Sequence, residues 1–162
     1  MTITTEPLTR DAFAPFGDVL AADSVDPKTI NQGKCQRHHD LATLEFNGGR
    51  AGVSIFKAEP RELPYMLDLV ERHPDGAQTF IPMSEHPFLI IVASDDHGTP
   101  VNIRAFISNG TQAINFHRNT WHGVLTPLHA PGLFAVVDRI GPGPNLEEHW
   151  FKTPLRIEGG SL

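Results

Sequence analysis

The chain has 162 residues, 40% of them hydrophobic and 20% charged, with a formal net charge of −6. This length holds a single domain with a real core, the composition excludes disorder, and the acidic balance argues against a nucleic-acid surface, which needs clustered Lys and Arg. A lone cysteine, Cys35, excludes an internal disulfide and fits a reducing cytosol; Met1 to Arg10 lacks the apolar core of a signal peptide.

Glycine and proline number 14 each, which favours short strands and turns over a helical bundle. In chain order, Thr9 to Phe16 reads as a short helix with Thr9 as its N-cap, ended by Pro15-Phe16-Gly17. Gly17 to Ala21 is extended, and the polar stretch from Asp23 to Gly33 reads as loop. Leu41 to Phe46 alternates and runs into Asn47-Gly48-Gly49, a hairpin turn from which Ala51 to Lys57 returns as a strand. Leu63 to Arg72 alternates, with Leu63, Tyr65, Leu67 and Leu69 on one face. Gln78 to Pro82, Phe88 to Ala93, Ile103 to Ile107, Gln112 to Phe116, Gly123 to Thr126 and Leu133 to Arg139 follow as strands, and Asn145 to Phe151 caps one end. About nine short strands at this spacing predict a sandwich or barrel. The longest apolar run, Phe88 to Ala93, is a strand length, far short of the roughly 20 residues of a membrane span. The reading is a cytoplasmic protein without a membrane segment.

The chemistry is concentrated in blocks of imidazole and guanidinium. In Glu71-Arg72-His73-Pro74-Asp75-Gly76-Ala77-Gln78, strand alternation puts Glu71 and His73 on one face and Arg72 on the other, and a hairpin over the Pro74 turn brings Gln78 back to the first face. The plain alternative is an exposed turn with solvated charges. A second block, Phe116-His117-Arg118-Asn119-Thr120-Trp121-His122, places two imidazoles beside a guanidinium; a histidine there can also simply cap a strand. A third, Arg37-His38-His39-Asp40, puts Arg37 and His39 on one face, with a surface role the alternative. Imidazole is the commonest metal ligand and the usual acid or base near neutral pH, and guanidinium clamps planar carboxylates. The pattern predicts an enzyme for a small carboxylate-bearing molecule. No Gly-rich phosphate loop and no Gly-x-Ser-x-Gly elbow is present, and Cys35 has no base beside it in sequence.

Glu71-x-His73-Pro74-x-x-x-Gln78 resembles the first motif of the cupin superfamily, and His117-x-Asn119-x-x-His122 the second. The chain departs from that pattern at Glu71, where a histidine is usual, and at Gln78, where a glutamate is usual; an amide is the weaker ligand. More narrowly, the segments Phe13 to Val19, Ile30 to Gly33, Arg37 to Ala42, Leu69 to Met83, Arg104 to Gly110 and Asn115 to His122 resemble the ureidoglycolate lyase family. The resemblance implies a mainly β, cupin-like (jelly-roll or double-stranded β-helix) barrel with a few short helices, one domain over residues 1–162, usually a homodimer. It also implies cleavage of ureidoglycolate to glyoxylate and urea in allantoin degradation, with a divalent metal, nickel in some members. On this reading His73, His122, His117 and Gln78 are the candidate catalytic residues. Arg118, Arg37, His39 and Arg72 are candidates for substrate binding, with Arg118 or Arg37 preferred. Glu71, His73, Gln78 and His122 are the candidate metal ligands. The alternatives are another cupin metalloenzyme, a dioxygenase or isomerase, or a small-molecule-binding cupin.

Overall fold

The structure, a computed structural model, describes residues 1–160; Ser161 and Leu162, included in the predicted domain, lie outside the described residues. Its elements are β1 (Thr2–Thr4), β2 (Glu6–Pro7), α1 (Arg10–Phe13), β3 (Gly17–Leu20), β4 (Lys28–Ile30), β5 (Cys35–Arg37), β6 (Arg50–Lys57) and β7 (Tyr65–Arg72) in the first half. The second half adds β8 (Gln78–Pro82), β9 (Phe88–Asp96), β10 (Thr99–Ile107), β11 (Ala113–Phe116), β12 (Trp121–His122), β13 (Thr126–Pro127), β14 (Leu133–Ile140) and β15 (Glu147–Glu158). An 8-stranded sheet, in the order β1-β15-β7-β12-β9-β10-β2 with β13 attached to β9, packs on a 5-stranded sheet in the order β3-β11-β8-β14-β6. The pair makes a nearly closed, cupin-like β-barrel. The β4–β5 hairpin forms a separate 2-stranded sheet.

The apolar run of β9 does not alternate because it is buried on both faces. Phe88, Ile90 and Val92 point between the two sheets, where they join Phe80, Ile114, Phe116, Phe134 and Val136. Leu89, Ile91 and Ala93 point the other way, into a second cluster with Ala105, Ile107, Ile3 and Ile157. Fully buried Phe13 lies edge-on to Phe106 at 5.6 Å between ring centroids and also contacts Phe16 and Phe116. Each such ring contributes about 1.5–3 kcal/mol by leaving water. Gly17 starts β3 because β11 passes too close for a side chain: a Cβ there would sit 1.9 Å from the Asn115 carbonyl oxygen.

Several predicted elements differ. Thr9 is the N-cap, its hydroxyl accepting from the Ala12 amide at 3.2 Å, but the helix closes at Phe13 instead of reaching Phe16. The predicted loop from Asp23 to Gly33 contains β4. Gly123 to Leu125 runs outside the strands, between β12 and β13. The Asn47-Gly48-Gly49 turn does not close a hairpin. Leu41 to Glu45 is irregular, Phe46 makes only an isolated bridge to Gly76, and β6 pairs along its whole length with β14. The physical reason is long-range. Asn47 donates to the Asp75 carbonyl, Ala77 to the Glu45 carbonyl, and the Arg139 guanidinium holds the Asn47 and Gly48 carbonyls, so the turn is fastened to the β7–β8 connection and to β14. The segment Asn145 to Phe151 is no mere cap: most of it belongs to β15, which pairs with β7.

Candidate active site

The site is assembled by two rows of residues facing each other at one end of the space between the sheets. In the larger sheet His122 of β12 lies opposite Glu71 of β7, and Glu71 lies opposite Glu148 of β15. Opposed residues share a face. His122 is also opposite Val92, a residue of the core between the sheets, so this face looks inward. In the smaller sheet Gln78 of β8 lies opposite Phe116 of β11. Asp138 of β14 follows one step beyond the Val137↔Thr79 pair in the same register, which sets it against Gln78 from the other side. The two sequence blocks are tied directly, since the Asn119 amide donates to the His73 carbonyl at 2.9 Å. Asn119 adopts φ 68°, a conformation Asn tolerates better than most side chains, and so turns the chain between His117 and Trp121.

One ligand atom from each of Glu71, His73 and His122 lies within 4.8 Å of the others. The two rings are 5.3 Å apart between centroids, and Glu71 Oε1 is 3.9 Å from His73 Nε2. His73 Nδ1 is 2.8 Å from the Asn145 carbonyl oxygen, and His122 Nδ1 is 3.0 Å from that of Gly123. A carbonyl only accepts, so each Nδ1 carries the hydrogen and each Nε2 keeps a lone pair. Gln78 obeys the same logic: its Nε2 donates to Asp138 Oδ2 at 3.3 Å, which leaves Oε1 free. His73 Nε2, His122 Nε2 and Gln78 Oε1 are all buried without a hydrogen-bond partner. Each such orphan costs about 1–3 kcal/mol, so a cluster of them marks a place made for something else.

Electrostatics agree. Burial, with a smaller contribution from His73, pushes the His122 pKa down to about 3 against the opposing pull of the Gly123 carbonyl, so the imidazole stays neutral. Burial raises the Glu71 carboxyl, His73 opposes that shift, and Glu148 adds to it. Two imidazoles and a carboxylate form a donor set that suits a divalent first-row cation, and the carbonyl partners behind both rings are the outer support such ligands use.

The remaining predicted residues separate. His117 is not among the clustered ligand atoms and pairs with Asp18, its Nε2 3.2 Å from Oδ1. Asp18 also accepts from the Thr43 amide and Asn115 Nδ2, each at 3.0 Å. Burial raises the Asp18 pKa, but these donors and His117 together bring it below the ordinary carboxylate value. Arg118 lies 3.8 Å from Glu45, and with Thr43, Glu45 and His117 it lines a cleft of about 310 Å³. Arg72 faces the opposite side from His73, as alternation predicts: it pairs with Asp95 at 2.8 Å and Glu147 at 2.6 Å and lies 4.4 Å over the Trp121 ring. Arg37 and His39 are exposed, on and just after the separate β4–β5 sheet. Sequence reasoning missed Asn145, Asp138, Glu148 and Asp18. Of these only Asp138 left a signal, a carboxylate two residues after Val136 on the inward register of an apolar strand.

Fold and cluster together define a cupin-like barrel with a His/Glu group that could hold a metal ion. Comparison with known proteins narrows the class: the family model described as ureidoglycolate lyase matches residues 1–158. The chain is 56% identical to a ureidoglycolate lyase of Rhodobacter capsulatus, over 95% of this chain and 96% of the relative. It is 52% identical to one from a Chelativorans species (96% and 95% covered), and 48% identical to ureidoglycolate lyase 2 of Rhizobium meliloti (94% of each). The chain belongs to the ureidoglycolate lyase family.

Proposed function

We propose that this protein cleaves ureidoglycolate to glyoxylate and urea, with a divalent cation held by His73, His122, Gln78 and Glu71. The observation that carries the reading is that ligand atoms of Glu71, His73 and His122 lie within 4.8 Å of one another, with both imidazole Nε2 atoms buried and unpartnered; Gln78, whose Oε1 is also buried and unpartnered, is the fourth donor we assign. When bound, the cation polarises a substrate oxygen as a Lewis acid. Nickel is the first ion to test, on the strength of the family resemblance.

Ureidoglycolate is a carbinolamine, one carbon bearing a hydroxyl, a ureido nitrogen and a carboxylate. The hydroxyl loses its proton, the C=O bond of glyoxylate forms, the C–N pair leaves with nitrogen, and nitrogen takes up a proton; no water is consumed. One side chain that accepts the first proton and delivers it to nitrogen balances the reaction. His117, ordered by Asp18 in the cleft it shares with Arg118, has the chemistry for this. Arg118 is the cation for the substrate carboxylate, because Arg72 is already engaged on the other face.

Incubation with ureidoglycolate, read as glyoxylate and urea released together, tests the reaction. His73→Ala and His122→Ala are expected to lower kcat at least about 100-fold with the fold intact. Near-normal turnover in both would overturn the reading. We also infer one domain, a homodimer and a cytoplasmic location. The dimer is supported by exposed Val53 and Ile55 on the free edge strand β6, and the location by the free thiol of Cys35.

A further inference from the structure

We infer that Asp138 is a positioning residue that sets which end of the Gln78 side chain faces the cation site, so that Gln78 and Asp138 together replace a single ligating glutamate. The inference rests on the cation-binding reading above. An amide is a donor at one end and an acceptor at the other, and nothing in its shape fixes which end points inward. Here the outer neighbour decides. A carboxylate only accepts, so Asp138 Oδ2, 3.3 Å from Gln78 Nε2, takes an amide hydrogen, and Oε1 is left at the other end of the amide, turned from Asp138. That oxygen is buried and otherwise unpartnered. The reversed amide would aim its N–H groups at a cation and set two acceptors against each other outside.

The backbone favours this contact. Gln78 opens β8, and Asp138 lies one step past the Val137↔Thr79 pair of the β8–β14 ladder, on the face that carries Val136 and Phe80 into the core. From the other side Phe116 closes the row. The negative charge that a ligating glutamate would bring to the cation thus stands one residue further out, relayed through the polarised amide. Gln78 is one of the two residues, with Glu71, at which the chain departs from the cupin pattern, and the Asp138 carboxylate holds its amide nitrogen.

The test is cation affinity, measured by calorimetry with nickel on metal-stripped protein. Asp138→Asn, whose amide can meet either end of Gln78, is expected to weaken binding about 10–100-fold. In a Gln78→Ala background the same change should add nothing, because Asp138 then has no side chain to orient. Equal losses in both backgrounds, or no loss in either, overturn the role of Asp138. Wild-type protein that takes up no cation overturns the parent reading and this one with it. A measurement on unmodified protein covers the case of a variant that does not fold: zinc should shift the Gln78 side-chain amide resonance, assigned by its loss in Gln78→Ala. Zinc binding that leaves this resonance unmoved also overturns the inference.

Discussion

The His122 imidazole lies flat on the Phe116 ring, with centroids 4.2 Å apart and planes 7° from parallel. Phe116 is therefore both a core residue and the floor that holds a site residue, since Gly123 fixes His122 only at Nδ1. Phe116→Leu keeps an apolar side chain but removes the flat surface. Stability should fall by roughly 1–3 kcal/mol, and nickel affinity by about 10-fold as the ring gains freedom. Chemical denaturation and calorimetry on the same variant read both. A stability loss with unchanged affinity would leave Phe116 a packing residue only.

Arg118 and Arg72 should behave oppositely. Arg118 stands in the cleft beside His117, so Arg118→Ala should raise KM at least about 10-fold and leave thermal stability nearly unchanged. Arg72 is engaged with Asp95, Glu147 and Trp121, and Arg72→Ala should cost about 1–2 kcal/mol of stability with KM unaltered. Steady-state kinetics beside thermal melts decide the matter; a KM effect confined to Arg72 would reverse the assignment.

Asp18 gives a pH signature. Its carboxyl has a lowered pKa in the fold, so its ion contacts stabilise the protein above the unfolded value, about 3.9, and that contribution is lost as pH falls through the folded value. Wild type should exceed Asp18→Asn in stability near neutral pH, and the gap should shrink at the acid end. Urea titrations at pH 7, 4 and about 2.5 follow the gap directly. A difference that stays constant over this range would show that the contacts do not depend on the charge of Asp18.

Cation binding should appear as heat stability. A ligand at one hundred times its Kd stabilises the native state by about 2.7 kcal/mol, which for a chain of this size raises Tm by about 5–11 °C. Chelated protein should lose that increment and regain it with nickel, and His122→Ala should neither lose nor regain it. A melting curve indifferent to nickel would falsify the assignment of the ligand set.

Local sequence carried much of this. The strand character of Tyr65–Arg72, Gln78–Pro82 and Leu133–Ile140 was legible because each is an apolar or alternating run bounded by turn residues. The placing of Glu71 with His73, and of Arg72 opposite, needed only the two-residue period of a strand. What failed was pairing. Asn47-Gly48-Gly49 has every local mark of a hairpin, yet its backbone is claimed by Asp75 and Arg139, from distant parts of the chain. The same limit hid the outer supports of the site. Asn145 reaches His73, and Asp138 reaches Gln78, across separations that no local pattern encodes.

Residue identity alone settled which donors this protein carries: imidazoles, carboxylates, an amide and guanidinium groups. Chain folding decided which nitrogen or oxygen of each is left bare, because that depends on carbonyls and carboxylates delivered from other strands. Were His73 Nε2 and His122 Nε2 found hydrogen-bonded to protein groups instead of open to a shared point, the chemistry argued here would have no seat.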